Sequence, residues 1–230
     1  MSLVKRIKEL EEVFIGYRRQ IHQNPELGFE EFETTALVEK VLDELGIEHR
    51  KNGDKTGVIA QLKGGLPGDR VIALRADMDA LKLQEDTGLE FASKKPGISH
   101  ACGHDTHVAV LLGAATMLAK YKQHLKGTVK FFFQPAEEMI NGAITMIENG
   151  AMKDPAVDFA LACHTWPEMP AGSIGLRKGP MMGSADKFSV TITGKAVHAA
   201  HPHKGIDPIV IGAYIITELQ TIVSRRVAPL

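Results

Sequence analysis

Leu3, Ile7, Leu10, Phe14, Tyr17 and Ile21 recur at alternating steps of four and three, the apolar stripe of an amphipathic helix, and Asn24-Pro25 stops it. A second helix is expected from about residue 30 to 45, with Gly46 as its C-terminal stop. Short apolar runs then alternate with helical ones. Residues 58–62, 71–74, 129–133 and 159–163 read as strands, and 108–118 and 143–147 as helices. Continuous apolar strands interleaved with helices predict an α/β fold: a layered, mixed and largely parallel sheet with helices on both faces. Around residues 180–184 the texture changes. Residues 186–193 alternate polar and apolar (Phe188, Val190, Ile192), like a strand with one wet face, and 206–223 reads as a helix. The expected division is a larger domain over 1–182 and the first part of a smaller α+β domain over 183–230. The second piece is too short to bury a core by itself.

This order sets polar groups at strand ends. Asp77 and Asp79 follow the second strand, Glu137 and Glu138 the third, and His164 the fourth. Open α/β sheets form their ligand crevices at the carboxyl ends of strands. The loop carrying His100, Cys102, His104 and His107 leads into a helix and can face the same crevice. Cys, His and Glu gathered this way are transition-metal ligands, with a spare carboxylate left for proton work. Cys102, His104, Glu138 and His164 therefore read together as a metal site, and His100 and His107 as flanking groups. Glu137 and Glu138 leave a turn in different directions. One can bind metal while the other, its proton affinity raised by a like charge, acts as general base. Asp77-x-Asp79 offers either a ligand or a group that orients one. His198, His201 and His203 crowd a later loop, where spacing assigns no role. Cys163 reads as a small buried hydrophobe. A rival reading makes Cys102 a nucleophile with a histidine base, which leaves Glu137, Glu138 and His164 idle.

Composition narrows the class. The chain has 230 residues, 44% hydrophobic and 24% charged, with a net charge of -1, the profile of an ordinary globular protein. That balance gives no reason to expect nucleic acid or a membrane surface as partner. The first residues lack a signal-peptide apolar core, so a cytoplasmic location is expected. Two cysteines exclude a disulfide framework.

The segments 22–32 (His-Gln-Asn-Pro-Glu-Leu-Gly-Phe-Glu-Glu-Phe), 74–81 (Leu-Arg-Ala-Asp-Met-Asp-Ala-Leu), 100–107 (His-Ala-Cys-Gly-His-Asp-Thr-His), 134–138 (Gln-Pro-Ala-Glu-Glu) and 194–200 (Gly-Lys-Ala-Val-His-Ala-Ala) resemble successive signatures of the M20 metallopeptidases. The nearest branch is the aminoacylase-like amidohydrolases, which include hippurate hydrolases, auxin-conjugate hydrolases and N-acetyldiaminopimelate deacetylases. Lys82 stands where that family usually has proline, and Met139-Ile140-Asn141 replaces a Gly-rich run. The resemblance implies two divalent transition-metal ions (zinc, manganese, cobalt or nickel) held by Cys102, His104, Glu138 and His164. It also implies Glu137 as general base, Asp79 supporting the site from behind, and His198 on a lid polarising the scissile carbonyl. The implied substrate is an N-acyl amino acid, and the implied assembly a homodimer or larger through the lid. Family members continue through the rest of the lid and return to complete the catalytic domain with a last histidine ligand. The chain is accordingly expected to be the N-terminal part of such an enzyme, either active or a catalytically incomplete metal-binding fragment.

Overall fold

A computed structural model describes residues 3–183 and 187–227. The N-terminal stripe forms two helices, α1 (Leu3–Glu9) and α2 (Glu11–Gln23), separated by a turn at Leu10. Asn24 closes α2 by donating its N–H to the Ile21 carbonyl at 3.0 Å. Helix α3 (Phe32–Glu44) runs into Gly46, whose φ of 62° is the left-handed stop that glycine permits. Then come β1 (Glu48–Asn52), β2 (Lys55–Lys63), β3 (Leu66–Asp77), α4 (His104–Lys120), β4 (Lys126–Gln134), α5 (Gly142–Glu148), β5 (Phe159–Ala162) and α6 (Pro208–Thr221).

The five strands form one sheet in the order β1-β2-β4-β3-β5. The pairs β1/β2 and β2/β4 are antiparallel, whereas β3/β4 and β3/β5 are parallel. The mixed sheet of an α/β fold is thus present, with equal numbers of parallel and antiparallel pairings. Strand periodicity sorts its side chains onto two covered faces. Val58, Ala60, Leu62, Phe131 and Phe133 pack with Val38 and Leu42 of α3 and Val108, Leu111 and Leu112 of α4. Ile59, Ala73 and Phe132 pack on the other side with Met146 of α5 and Ala151. Each fully buried large side chain, such as Phe131, Phe133, Leu42 or Leu112, contributes about 1.5–3 kcal/mol of transfer free energy.

The parallel trio β4-β3-β5 positions the polar groups. Asp77 registers with Gln134, and Arg75 with Ala162, so these strands end along one edge of the sheet. The residues just beyond them emerge side by side.

Two expectations need correction. Cys163 is exposed, not buried, because it follows an edge strand whose four residues are all exposed. The strand expected over 186–193 is not formed at residues 187–193, where the described residues supply no partner ladder. Its first residue, Asp186, and Ser184 before it lie outside the described residues. The chain divides into two compact units, Met1–Glu168 and Met169–Leu230. In the second, Asp207 caps α6 by accepting the N–H of Ile209 at 2.9 Å, and Pro208 occupies its first turn. Among the described residues no helix is long and apolar enough to cross a membrane.

Candidate metal centre

At the carboxyl edge of the sheet, β3 delivers Asp77 and the following Asp79, both buried. Gly103 immediately precedes α4 with φ 85°, a conformation that lets the chain turn sharply so that Cys102 and His104 sit in the same crevice. A Cβ on Gly103 would lie 2.4 Å from the Thr165 hydroxyl, so glycine also admits the close approach of the loop carrying His164.

His104 is the hub. Its Nδ1–H donates to the Asp79 carbonyl at 2.8 Å, with an Asp79 carboxylate oxygen 3.3 Å away. That leaves Nε2 facing the cluster, buried and without a hydrogen-bond partner among the described residues. Around Nε2 stand Asp77 Oδ2 at 3.6 Å, Glu138 Oε1 at 3.9 Å and Glu137 Oε2 at 4.0 Å. Cys102 Sγ lies 3.4 Å from His164 Nε2. Three overlapping sets have ligand atoms close enough to share an ion: Cys102, His104 and His164; His104, Glu137 and Glu138; Asp77, His104 and His107. Tetrahedral bonds of about 2.0–2.3 Å space ligand atoms about 3.3–3.8 Å apart; the His104–Asp77 and Cys102–His164 separations fall in that range, and the two glutamate distances lie just beyond it.

The electrostatics point the same way. Burial, followed by the charges of Glu138, Glu137 and Asp77, pushes the Cys102 thiol up to about 12. Such a thiol is a poor free nucleophile, and a bound cation would ionise it. Burial opposes a charge on His104, yet Asp79, Asp77 and Glu138 raise its pKa above the usual range. Glu137 is raised by burial and by the neighbouring Glu138 charge, with His104 opposing, so it holds protons more firmly than an ordinary carboxylate. Asp77 behaves oppositely. Burial works against its charge, but the hydrogen bond from His107 and the charges of His104 and Arg75 hold it at about 2.

A supporting layer surrounds the hub. His107 donates from Nδ1 to Asp77 at 2.6 Å and accepts the Thr165 N–H on Nε2 at 2.9 Å, so both ring nitrogens are occupied and the ring ties β3 to the His164 loop. Asp79 Oδ2 accepts the Glu138 N–H at 3.0 Å. His100 is buried with both ring nitrogens unpartnered among the described residues, and burial lowers its pKa to about 4. His198 lies in the second unit. There its Nδ1 accepts the Ala200 N–H at 3.1 Å, and its ring stands 5.9 Å from that of His201.

Several contributors went unassigned in the sequence. His22 hydrogen-bonds Asp105 at 2.8 Å and Glu85 at 3.2 Å, and Arg18 donates to Asp105 at 3.0 Å, bracing the first turn of α4 from behind. Glu26 and Glu31 are buried carboxylates with backbone partners. The signal for them was the polar string at 22–31, whose charges sit between two amphipathic helices.

Comparison with known proteins agrees with this geometry. Residues 73–223 match Peptidase family M20/M25/M40. The chain is 50% identical over 224 residues to an N-acetyl-L-cysteine deacetylase of Bacillus subtilis, covering 97% of this chain and 53% of that protein. It is 45% identical to an N-acyl-L-amino acid amidohydrolase of Geobacillus stearothermophilus, covering 97% and 60%. Among solved structures it resembles a dinuclear metal-binding peptidase of the M20 family from Bacillus subtilis, with a TM-score of 0.72 and 45% identity over 75% of this chain and 48% of that one. A putative aminohydrolase from methicillin-resistant Staphylococcus aureus gives a TM-score of 0.82 at 38% identity, covering 99% and 60%. The chain thus spans between about half and three-fifths of the length of these relatives.

Proposed function

The chain belongs to peptidase family M20/M25/M40, and from that membership and the site geometry we propose that it hydrolyses the amide bond of N-acyl amino acids. The observation that carries this reading is the buried, unpartnered Nε2 of His104, facing three carboxylates beside the Cys102–His164 pair. In this reading Cys102, His104, Glu138 and His164 hold two divalent ions, from among zinc, manganese, cobalt and nickel, all compatible with mixed S, N and O donors. When bound, such ions activate water and polarise the amide carbonyl. Glu137, half-exposed and with raised proton affinity, takes the proton from the attacking water and returns it to the leaving amine. Asp79 holds His104 through its carbonyl and Glu138 through its carboxylate, keeping both aimed at the crevice. His198, reaching the site of a neighbouring subunit, polarises the scissile carbonyl.

The finer reading extends to organisation. Residues 1–182 form the metal-binding domain, and 183–230 begin a lid through which the protein forms a homodimer or larger assembly in the cytoplasm. No buried residue occurs in α6, and Ile209, Tyr214 and Ile216 are exposed, which supports an assembly role.

Metal content after extensive dialysis, measured beside hydrolysis of N-acetyl and N-benzoyl amino acids, tests the proposal. Bound metal with turnover that Glu137→Ala abolishes while retaining metal is the expected result. Unchanged turnover in Glu137→Ala refutes the mechanism. Bound metal without turnover favours the second reading, a catalytically incomplete metal-binding segment, which the fully exposed β5 supports.

A further inference from the structure

The turn that carries Glu137 and Glu138 is closed locally by the Ile140 N–H on the Glu137 carbonyl at 2.8 Å and the Gly142 N–H on the Ala136 carbonyl at 3.2 Å. It is also held from distant parts of the chain. It departs from β4 at Pro135, and Ala136 and Ile140 both adopt left-handed φ angles, 48° and 57°. Neither residue is glycine, and such conformations persist only where the surroundings impose them. Ala136 is fully buried. Its N–H donates to Glu31 Oε1 at 2.8 Å, across 105 residues of sequence. The other oxygen of Glu31 accepts the Thr56 hydroxyl. Glu31 has no exposed surface and caps no helix with its side chain, although it sits at the start of α3. A completely buried carboxylate is costly, and here both oxygens are used to hold backbone and side chain at chosen points. On the far side of the acidic pair, the Glu138 N–H donates to Asp79 at 3.0 Å. Two carboxylates from different parts of the chain therefore grip the turn immediately before and at the acidic pair.

We infer that Glu31 is a positioning residue for the acidic turn. By accepting the Ala136 N–H it fixes the left-handed turn and sets the directions in which Glu137 and Glu138 leave it. Glu31 belongs to none of the groups whose ligand atoms lie close enough to share an ion among the described residues. This inference rests on the reading of Glu138 as a metal ligand and Glu137 as the base. Acceptance of one N–H requires an oxygen and not a charge, so glutamine replaces Glu31 in this role: its carbonyl meets Ala136 and its amide donates to Thr56, whose hydroxyl then accepts.

Cobalt(II) is the probe, titrated into the whole chain and followed by its visible absorption, which reports ligand arrangement as well as affinity. Glu31→Met fills the space without an acceptor and is expected to weaken cobalt binding by about 10–100-fold with an altered spectrum, whereas Glu31→Gln stays within about threefold of the parent with the parent spectrum. Glu138→Ala is measured in parallel, and unfolding of each variant is followed by circular dichroism. If Glu31→Met does not fold, Thr56→Val, which frees one oxygen of the carboxylate, reads the same effect at smaller size. Parent affinity and spectrum in folded Glu31→Met, alongside loss in Glu138→Ala, overturn the positioning role. Parent affinity in both variants overturns the ligand reading and the inference that rests on it.

Discussion

Glu26 provides a quantitative test of how the segment before α3 stabilises the fold. The residue that starts this helix, Glu31, gives no side-chain cap, so the first N–H groups of α3 need an outside acceptor. Glu26 supplies it. One carboxylate oxygen accepts the Glu33 N–H at 2.9 Å, and the other accepts the Thr34 N–H and the Thr34 hydroxyl, each at 2.9 Å. Hydrogen bonds to a charged group are worth about 1.5–3 kcal/mol, and leaving a buried donor unpaired costs about 1–3 kcal/mol. Glu33 is exposed and regains water after Glu26→Ala, whereas Thr34 is buried and does not. The expected loss is therefore about 3 kcal/mol, above the roughly 0.5–2 kcal/mol of losing an ordinary N-cap because a buried donor is also left unpaired. Glu26→Gln keeps one acceptor oxygen and turns an amide donor toward another donor, so it falls between the parent and alanine. Urea unfolding of the metal-free chain by far-ultraviolet circular dichroism measures the series, with the denaturant slope unchanged if only stability moves. A loss below about 1 kcal/mol for Glu26→Ala would refute the capping argument.

Three other outcomes are expected from the same geometry. A divalent ion at a hundredfold excess over its dissociation constant adds about 2.7 kcal/mol of stability, or about 5–11 °C in Tm for a chain of this length, and chelation or His104→Ala removes the gain; calorimetry reads it. Asp77, held at about 2 in the fold against about 3.9 unfolded, contributes stability fully present above about pH 4 and lost as pH falls toward 2, on the order of 2 kcal/mol, and Asp77→Asn flattens unfolding stability across that window. Gly103→Ala costs about 1–2 kcal/mol from its φ of 85°. It also pushes Thr165 aside, so metal affinity falls along with urea stability.

The gathering of the candidate ligands was legible because a parallel sheet converts sequence order into position. Strands β3, β4 and β5 each have an apolar core and a polar exit, and parallel pairing brings the exits together at one edge. Helix α4 was legible from its apolar run, although the structure starts it four residues earlier, at His104. The strand β1 was not. Glu48-His49-Arg50-Lys51-Asn52 carries no apolar alternation, because it pairs only with β2 at the sheet's edge and buries only Asn52. The supporting groups were hidden for a different reason. Glu26 and Glu31 sit in a polar connection, and His22 in the last turn of α2 beside it, a stretch that composition reads as solvated. Their burial comes from partners as distant as Asp105 and Ala136, and no local pattern encodes such pairings.

Those pairings explain why this edge of the sheet tolerates so much negative charge. Asp77, Glu137 and Glu138 all lie within 4.0 Å of one histidine nitrogen, and Arg75, bonded to Asp77 at 2.7 Å, offsets only part of their repulsion. Removing one partner from a buried ionic group typically costs about 3–5 kcal/mol, so a fold built around separate buried carboxylates needs each one held. Glu26 is held by α3, Glu31 by Thr56 and Ala136, Asp77 by His107 and Arg75, and Asp105 by His22 and Arg18. Glu137 and Glu138 differ: among the described residues the nearest basic group to both is the His104 ring, at 3.9–4.0 Å, too far for a hydrogen bond, and Cys102 keeps its proton partly because of them. Protons or a bound cation relieve what repulsion remains. A divalent ion would therefore be favoured here both by its ligand bonds and by release of charge repulsion that the folded chain otherwise carries, which couples metal binding to the stability of this edge.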